Sequence, residues 1–104
     1  MALSTRGPYG YGHYVYIVRC SDGTLYTGYA RDPHRRALAH NRGQGAKYTS
    51  GRRPVALIHV ERFRTKGKAL RREHEIKQWP REKKEALHRK GRAYGAKQSL
   101  HPHA

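Results

Sequence analysis

The stretch "HYVYIVRCSDGTLYTGYA", residues 13–30, decides the fold of this chain. Two runs of β-branched and aromatic residues flank an Asp-Gly pair, a pattern typical of two strands joined by a tight turn. Tyrosines stand in both runs. The direction in which their rings point depends on how the two strands are paired, because successive side chains of a strand alternate between its two faces.

Two turns are compatible with this stretch. A two-residue loop made of Asp22 and Gly23 is the usual reading of an Asp-Gly pair between strands. That loop would set Tyr16 and Tyr26 on opposite faces of the sheet. One residue of register therefore decides whether the two phenols share a face.

The second possibility is a three-residue loop, 21–23, with its glycine in the left-handed conformation. This loop pairs Cys20 with Thr24 and sets Tyr16 opposite Gly28. We predict the three-residue loop, because Gly28 has no side chain and leaves room for the ring of Tyr16.

The remaining pattern predicts an α/β (α+β) fold, a small three-stranded antiparallel sheet flanked by helices in the order β-β-α-β-α-α. Asp32 as N-cap and Pro33 at the first helical position mark the start of the first helix. The predicted elements are strands 13–20 and 25–30, helix 33–41, a basic glycine-rich loop 42–54, strand 55–63, a helix from Thr65 to about Trp79, and a helix from Pro80 that ends before Gly91.

A chain of 104 residues is long enough for one domain with a modest core. We expect residues 1–12 to form a flexible arm, residues 13–91 the domain, and residues 92–104 a basic disordered tail.

The charge of the chain is extreme for its length: 23 Lys and Arg against 7 Asp and Glu give a formal net charge of +16. A thermophilic charge excess usually raises Lys and Glu together, whereas acidic residues are scarce here. Neutralisation of phosphates with counterion release makes nucleic acid the leading partner. The single cysteine, Cys20, excludes an intrachain disulfide and is typical of a cytoplasmic protein. No apolar run approaches the ~20 residues that span a bilayer, so no membrane partner is expected.

The helices contribute further candidates for a site. Arg36 and His40 are spaced i, i+4, so both project from one face of the first helix. Glu73 falls within about 50° of the apolar direction of the second helix. Burying a carboxylate at that place costs free energy unless a positive group lies beside it. A metal ion or a salt bridge to an arginine would offset this cost equally well.

Taken together, these residues resemble the signature of the GIY-YIG endonuclease domain. The tripeptides "VYI", 15–17, and "YTG", 26–28, correspond to its two paired motifs. Arg36 and His40 follow in the next helix, and "ALRREHEIK" places Glu73 where the family has its metal-binding glutamate.

The resemblance covers about residues 13–88. Within the family the chain is similar to the small single-domain UPF0213 branch, to which "GAKYTSGRRPV" adds a further match. It is also similar to the nuclease domain of structure-specific endonucleases, without their zinc-binding domain. The first motif lacks the family's glycine, and Tyr29 stands where some relatives have a lysine.

The resemblance implies metal-dependent hydrolysis of phosphodiester bonds. Glu73 would hold a single Mg²⁺ or Mn²⁺ through hard oxygen ligation, and Arg36 would bind a non-bridging phosphate oxygen. Tyr16 is assigned as general base and Tyr26 as its partner, although the two could exchange roles. A phenol with a pKa of ~10 is a poor base at neutrality, so we expect nearby positive charge to favour the phenolate. His40 would either accept a proton from a tyrosine or contact the phosphate.

Basic residues near these candidates are predicted to contact the nucleic-acid backbone. Such contacts position a substrate without reading its sequence, so we expect a preference for structures or ends, in DNA more than in RNA. The candidates are Arg42, Lys47, Arg52 and Arg53 in the loop, and Arg71, Arg72 and Lys77 on the second helix.

Three functions remain open on the sequence. The first is a Mg²⁺- or Mn²⁺-dependent DNA endonuclease, with DNA repair as its candidate role. The second is a nucleic-acid-binding module that keeps the fold but does not cut. The third is a small basic protein associated with RNA or the ribosome.

Overall fold

The computed structural model describes residues 12–88, which form a three-stranded antiparallel sheet with helices packed against it. The predicted fold class and element order are confirmed. In chain order the elements are β1 (His13–Arg19), β2 (Leu25–Ala30), α1 (Pro33–Asn41), α2 (Lys47–Ser50), β3 (Ala56–Phe63), α3 (Lys66–Lys77) and α4 (81–88).

The strand order is β2-β1-β3, so the first strand is the centre of the sheet. Every residue of β1 except its two ends is buried, which explains why both alternating sets of its side chains are apolar or aromatic. A register irregularity between Ile17 and Val18 interrupts the pairing of β1 with β3.

The sheet separates two buried clusters, one on each face. The first contains Tyr16 and Val18 of β1 together with Val55, which precedes β3. The second contains Val15 and Ile17 of β1, and α3 packs there. Helix α3 contributes Ala69 and Ile76 to this second cluster, and both are fully buried.

The segment predicted as a loop contains one helical turn, α2, which the sequence analysis missed. Four residues are too few to show an apolar period, and no side chain caps the N-terminus of α2 at Ala46. The predicted arm, 1–12, lies outside the described residues except for Gly12, and the predicted tail, 92–104, lies wholly outside them. None of the helices in the described part is long and apolar enough to cross a bilayer.

Candidate active site

Tyr16 and Tyr26 lie on the same face of the sheet, with ring centroids 6.4 Å apart. Tyr16 pairs with Gly28, and Val18 pairs with Tyr26, so the predicted register is confirmed. This register requires a glycine at position 28, because a Cβ there would lie 2.6 Å from Cζ of Tyr16.

The hairpin loop that sets this register is the predicted three-residue turn. The backbone N–H of Cys20 donates to the carbonyl of Thr24 at 2.8 Å, and that of Gly23 donates to the carbonyl of Cys20 at 2.9 Å. Gly23 has a φ of 87°, in the left-handed region that glycine adopts without strain.

Helix α1 brings Arg36 and His40 to the phenol of Tyr16. The helix begins where predicted, since the Asp32 side chain accepts from the backbone N–H of Arg35. His40 is completely buried, and its Nε2 lies 2.7 Å from Oη of Tyr16. A side-chain hydrogen bond from Arg36 reaches the same phenol.

The pKa of Tyr16 is raised to about 12, chiefly because the side chain is buried. The hydrogen bond from Arg36 lowers this pKa, as the sequence analysis expected, but the negative charge of Glu73 and the neighbouring Tyr26 raise it further. The expected effect of positive charge is therefore present, but the net shift of the Tyr16 pKa in the free protein is upward. Burial of the ring, which the sequence does not show, outweighs the guanidinium.

The other ring nitrogen of His40 is held by the segment that follows α1. Nδ1 lies 2.7 Å from Oγ1 of Thr49 and 3.3 Å from the backbone nitrogen of Ala46. Thr49 is fully buried. A Cβ at Gly45 would lie 2.6 Å from Cγ of His40, so the imidazole packs directly against this backbone. Burial and the charge of Arg36 lower the pKa of His40, which favours a neutral ring.

The sequence analysis did not identify Gly45 or Thr49 as parts of the site, nor Tyr48 next to them. Tyr48 stacks on Tyr26 with ring centroids 5.7 Å apart and an interplanar angle of 25°. The one signal in the sequence was the glycine-rich "GQGAKYT" itself, because glycine permits the close approach of backbone to a ring.

Glu73 lies on α3, one turn before Lys77. Its side chain is 18% exposed and pairs with Lys77, Oε2 to Nζ, at 3.2 Å. Nζ of Lys77 lies 5.5 Å from the ring centroid of Tyr26. The negative charge of Glu73 acts on the phenol of Tyr16, although Ala69 and Ile76 of the same helix pack on the opposite face of the sheet.

The residues fit a single hard cation held mainly by water and substrate. Residues 12–88 contain no group of three or more His, Cys, Asp or Glu side chains arranged to hold a metal ion. Mg²⁺ is commonly bound through one or two carboxylates, keeps several waters and takes oxygens from a phosphate. Glu73 supplies one such carboxylate, and the side chains of the two candidate tyrosines offer only oxygen atoms as ligands.

Several of the residues predicted to contact the nucleic-acid backbone make hydrogen bonds to other groups of the chain. Arg52 donates to Asp22 and lies 4.1 Å above the ring centroid of Tyr48, and Arg53 donates to the carbonyl of Ser50.

Arg72 is the clearest case of such internal pairing. It donates to both carboxylate oxygens of Glu61, at 2.8 and 3.1 Å, and to Glu75. Its guanidinium also lies 5.0 Å from the ring centroid of Trp79. The sequence could not show Glu61 as a partner, because it comes from β3, whereas Glu75 lies one turn along the same helix.

Arg42 belongs to a different surface, which we name the α1 cleft. This cleft, about 800 Å³ in volume, is open and runs beside α1. Its cationic lining residues are Arg31, Arg35, Arg36 and Arg42. Only Arg36 and Arg42 were predicted to contact a substrate. Among the remaining predicted residues, Lys47 and Arg71 are exposed on α2 and α3.

The fold agrees with what comparison with known proteins finds. The model of the GIY-YIG catalytic domain matches residues 12–86, and the chain therefore belongs to the GIY-YIG family. It is 61% identical over 79 residues to a UPF0213 protein of Haloquadratum walsbyi, covering 76% of this chain and 89% of that protein. A UPF0213 protein of Staphylococcus aureus is 62% identical over 72 residues, covering 69% of this chain and 88% of the relative.

Among solved structures, the solution NMR structure of protein EF2693 from E. faecalis is similar to this chain. The two are 45% identical, with a TM-score of 0.51, over 72% of this chain and 80% of the other. Membership of the family and the similarity of fold thus rest on independent comparisons.

Proposed function

We propose that this chain is a divalent-metal-dependent endonuclease that hydrolyses phosphodiester bonds of DNA. The observation that carries the proposal is the convergence on Tyr16. Its hydroxyl meets the buried imidazole of His40 and the guanidinium of Arg36, beside the ring of Tyr26. The carboxylate of Glu73 acts on the same phenol from another helix.

Each of these groups suits one part of the reaction. Tyr16 serves as general base, and Arg36 binds a non-bridging phosphate oxygen as a planar donor. Tyr26, which is less buried, orients the attacking water. A cation bound at Glu73, Mg²⁺ or Mn²⁺, would supply charge stabilisation for the phosphate and the leaving 3′ oxygen.

The α1 cleft supports a location for the substrate strand. Four guanidinium groups line it against a single carboxylate, that of Asp32. Because Arg36 belongs both to the cleft and to the site, a strand whose phosphate is bound by Arg36 would continue along α1. Such contacts favour no particular sequence, so we propose selectivity for DNA structures or ends, suited to repair or processing in the cytoplasm.

A second candidate is a nucleic-acid-binding module that does not cut. The raised pKa of Tyr16, about 12, favours this reading, because a phenol that stays protonated is not a base. The net charge of +16 would support binding in either case.

A cleavage assay separates the two. Branched, single-stranded and duplex DNA, and matching RNA, would each be incubated with the full chain in Mg²⁺, Mn²⁺ or EDTA. We expect metal-dependent cutting of DNA that EDTA abolishes. Binding of every substrate with no cutting in either metal would identify the module instead.

A further inference from the structure

His40 has three hydrogen-bond partners whose combination restricts where its proton lies. Nε2 faces Oη of Tyr16 at 2.7 Å, while Nδ1 faces Oγ1 of Thr49 at 2.7 Å and the backbone nitrogen of Ala46 at 3.3 Å. The side chains of Tyr16, His40 and Thr49 are all buried, with exposed fractions of 1%, 0% and 0%. Solvent therefore does not substitute for these partners.

The backbone N–H of Ala46 fixes the direction of one bond. A backbone N–H always donates, so Nδ1 of His40 must accept it. A neutral imidazole has one donor and one acceptor nitrogen, and burial together with Arg36 lowers the pKa of His40 toward that neutral form. The proton of the ring then lies on Nε2, which faces Tyr16.

The hydroxyl of Thr49 is compatible with this arrangement. Its single hydrogen can go either to Nδ1 of His40 or to the carbonyl of Ala46, 2.9 Å away. That carbonyl already accepts the backbone N–H of Thr49 at 3.1 Å, so it is not left unpaired when the hydroxyl turns to the imidazole. The opposite tautomer would place a proton on Nδ1 against the N–H of Ala46 and leave that N–H without an acceptor.

We infer that the backbone N–H of Ala46 sets His40 in the Nε2–H tautomer while the hydroxyl of Thr49 orients the ring, so that His40 donates to the phenol oxygen of Tyr16. Thr49 is then a positioning residue, acting on the reaction through His40. The phenol oxygen faces the Nε2–H of His40 and the guanidinium of Arg36, and both favour the phenolate form of Tyr16 over the protonated form. In this form His40 does not accept the proton of Tyr16, which was one of the two roles that the sequence left open for it.

The tautomer can be measured without any activity. Long-range ¹H–¹⁵N spectra distinguish protonated from unprotonated ring nitrogens, and a His40→Asn variant identifies the signals of His40 among the eight histidines of the chain. We expect one Nε2–H tautomer in the wild type and in Thr49→Ser, which keeps the hydroxyl. Thr49→Val, which removes it, should keep that tautomer, because Nδ1 still accepts from the backbone N–H of Ala46 and an Nδ1–H would have no acceptor. An Nδ1–H ring in the wild type or in Thr49→Val would overturn the inference.

The catalytic consequence rests on the proposed function and is tested separately. Thr49→Val should slow cutting by about tenfold or more, the usual effect of losing an orienting partner, while Thr49→Ser restores most of the rate. In a His40→Ala background, Thr49→Val should cause no further loss, because its effect passes through the imidazole. An equal loss in both backgrounds would show a purely structural role and refute the positioning role. If the wild type cuts nothing, the proposed function fails, while the NMR result still decides the tautomer.

Discussion

Gly28 lies directly opposite Tyr16 in the pairing of β1 with β2, and the phenol ring occupies the space that any other side chain at position 28 would need. This relationship links the fold of the sheet to the chemistry of the site. A residue with no side chain on one strand allows the central ring of the site to lie flat over the sheet.

Gly28→Ala is therefore expected to destabilise the protein. The added Cβ would lie 2.6 Å from Cζ of Tyr16, and overpacking of this kind costs about 1–3 kcal/mol. Thermal unfolding measures the loss. Gly51→Ala is the matched control, since a Cβ at Gly51 meets nothing within 4 Å. Equal midpoints for the two variants would contradict the proposed packing of the ring.

Tyr16→Phe deletes one hydroxyl and is expected to lower the cutting rate by about 10²–10⁴-fold, the usual contribution of a general base. The variant also leaves the buried Nε2 of His40 without its partner, which costs about 1–3 kcal/mol of stability. Tyr29→Phe is the control, because its hydroxyl also contacts a histidine, His13 Nδ1 at 2.7 Å. Rates would be measured at a temperature where all three proteins are folded. Wild-type cutting by Tyr16→Phe would remove Tyr16 as base.

Glu73→Gln is expected to abolish metal-dependent cutting while leaving DNA binding intact. A neutral amide does not supply the charge that a divalent cation requires of its carboxylate ligand. Glu75→Gln provides the comparison on the same helix, because the Glu75 side chain is 57% exposed and pairs with Arg72. Cleavage and fluorescence anisotropy would be measured on one substrate. Undiminished metal-dependent cutting by Glu73→Gln would rule out this metal ligand.

The α1 cleft predicts a change in the salt dependence of binding. Each phosphate contact contributes about 0.9 to the slope of log K against log salt concentration for duplex DNA. Arg35→Gln combined with Arg42→Gln should therefore reduce that slope by about 2. Lys68→Gln combined with Lys83→Gln removes the same charge from surfaces outside the cleft. Anisotropy titrations in EDTA measure the slopes, and equal slopes for the two double variants would place the strand elsewhere.

The ion pair of Glu61 with Arg72 predicts a loss of stability in acid. Burial opposes ionisation of Glu61, but His59 and Arg72 outweigh it and lower its pKa from 4.5 to about 2. Because the pKa is lower in the folded state, the stabilisation is present above pH 4.5 and is lost as the pH falls toward 2. The difference corresponds to about 3 kcal/mol at most. Urea unfolding at neutral pH and at low pH should show this loss in the wild type and a smaller one in Glu61→Gln.

Local chemistry made part of the site predictable from the sequence. The i, i+4 spacing places Arg36 and His40 on one face of α1, and the alternation of β1 and β2, with Gly28 as the space for a ring, sets the tyrosines. The environment of each group was less accessible. Burial that raises the pKa of Tyr16 depends on the whole fold, so the neighbouring positive charge, whose effect was predicted, did not reveal the net direction of the shift.

Contacts between distant segments account for what was missed. Helix α2 is a single turn with no period of its own, so nothing in the chain marked Thr49 as a partner of His40. Similarly, Arg72 looked like a surface cation because its partner Glu61 comes from β3.

The length of the hairpin loop at 21–23 makes the protein vulnerable to a particular kind of evolutionary change. A deletion of Ser21 alone would leave the net charge and every candidate catalytic side chain in place, yet it would turn β2 over and carry Tyr26 to the far face of the sheet. For this architecture, an insertion or deletion in a solvent-exposed turn can be more damaging than most substitutions in the interior. Homologues are therefore best screened for the spacing between the two tyrosines before they are screened for the tyrosines themselves.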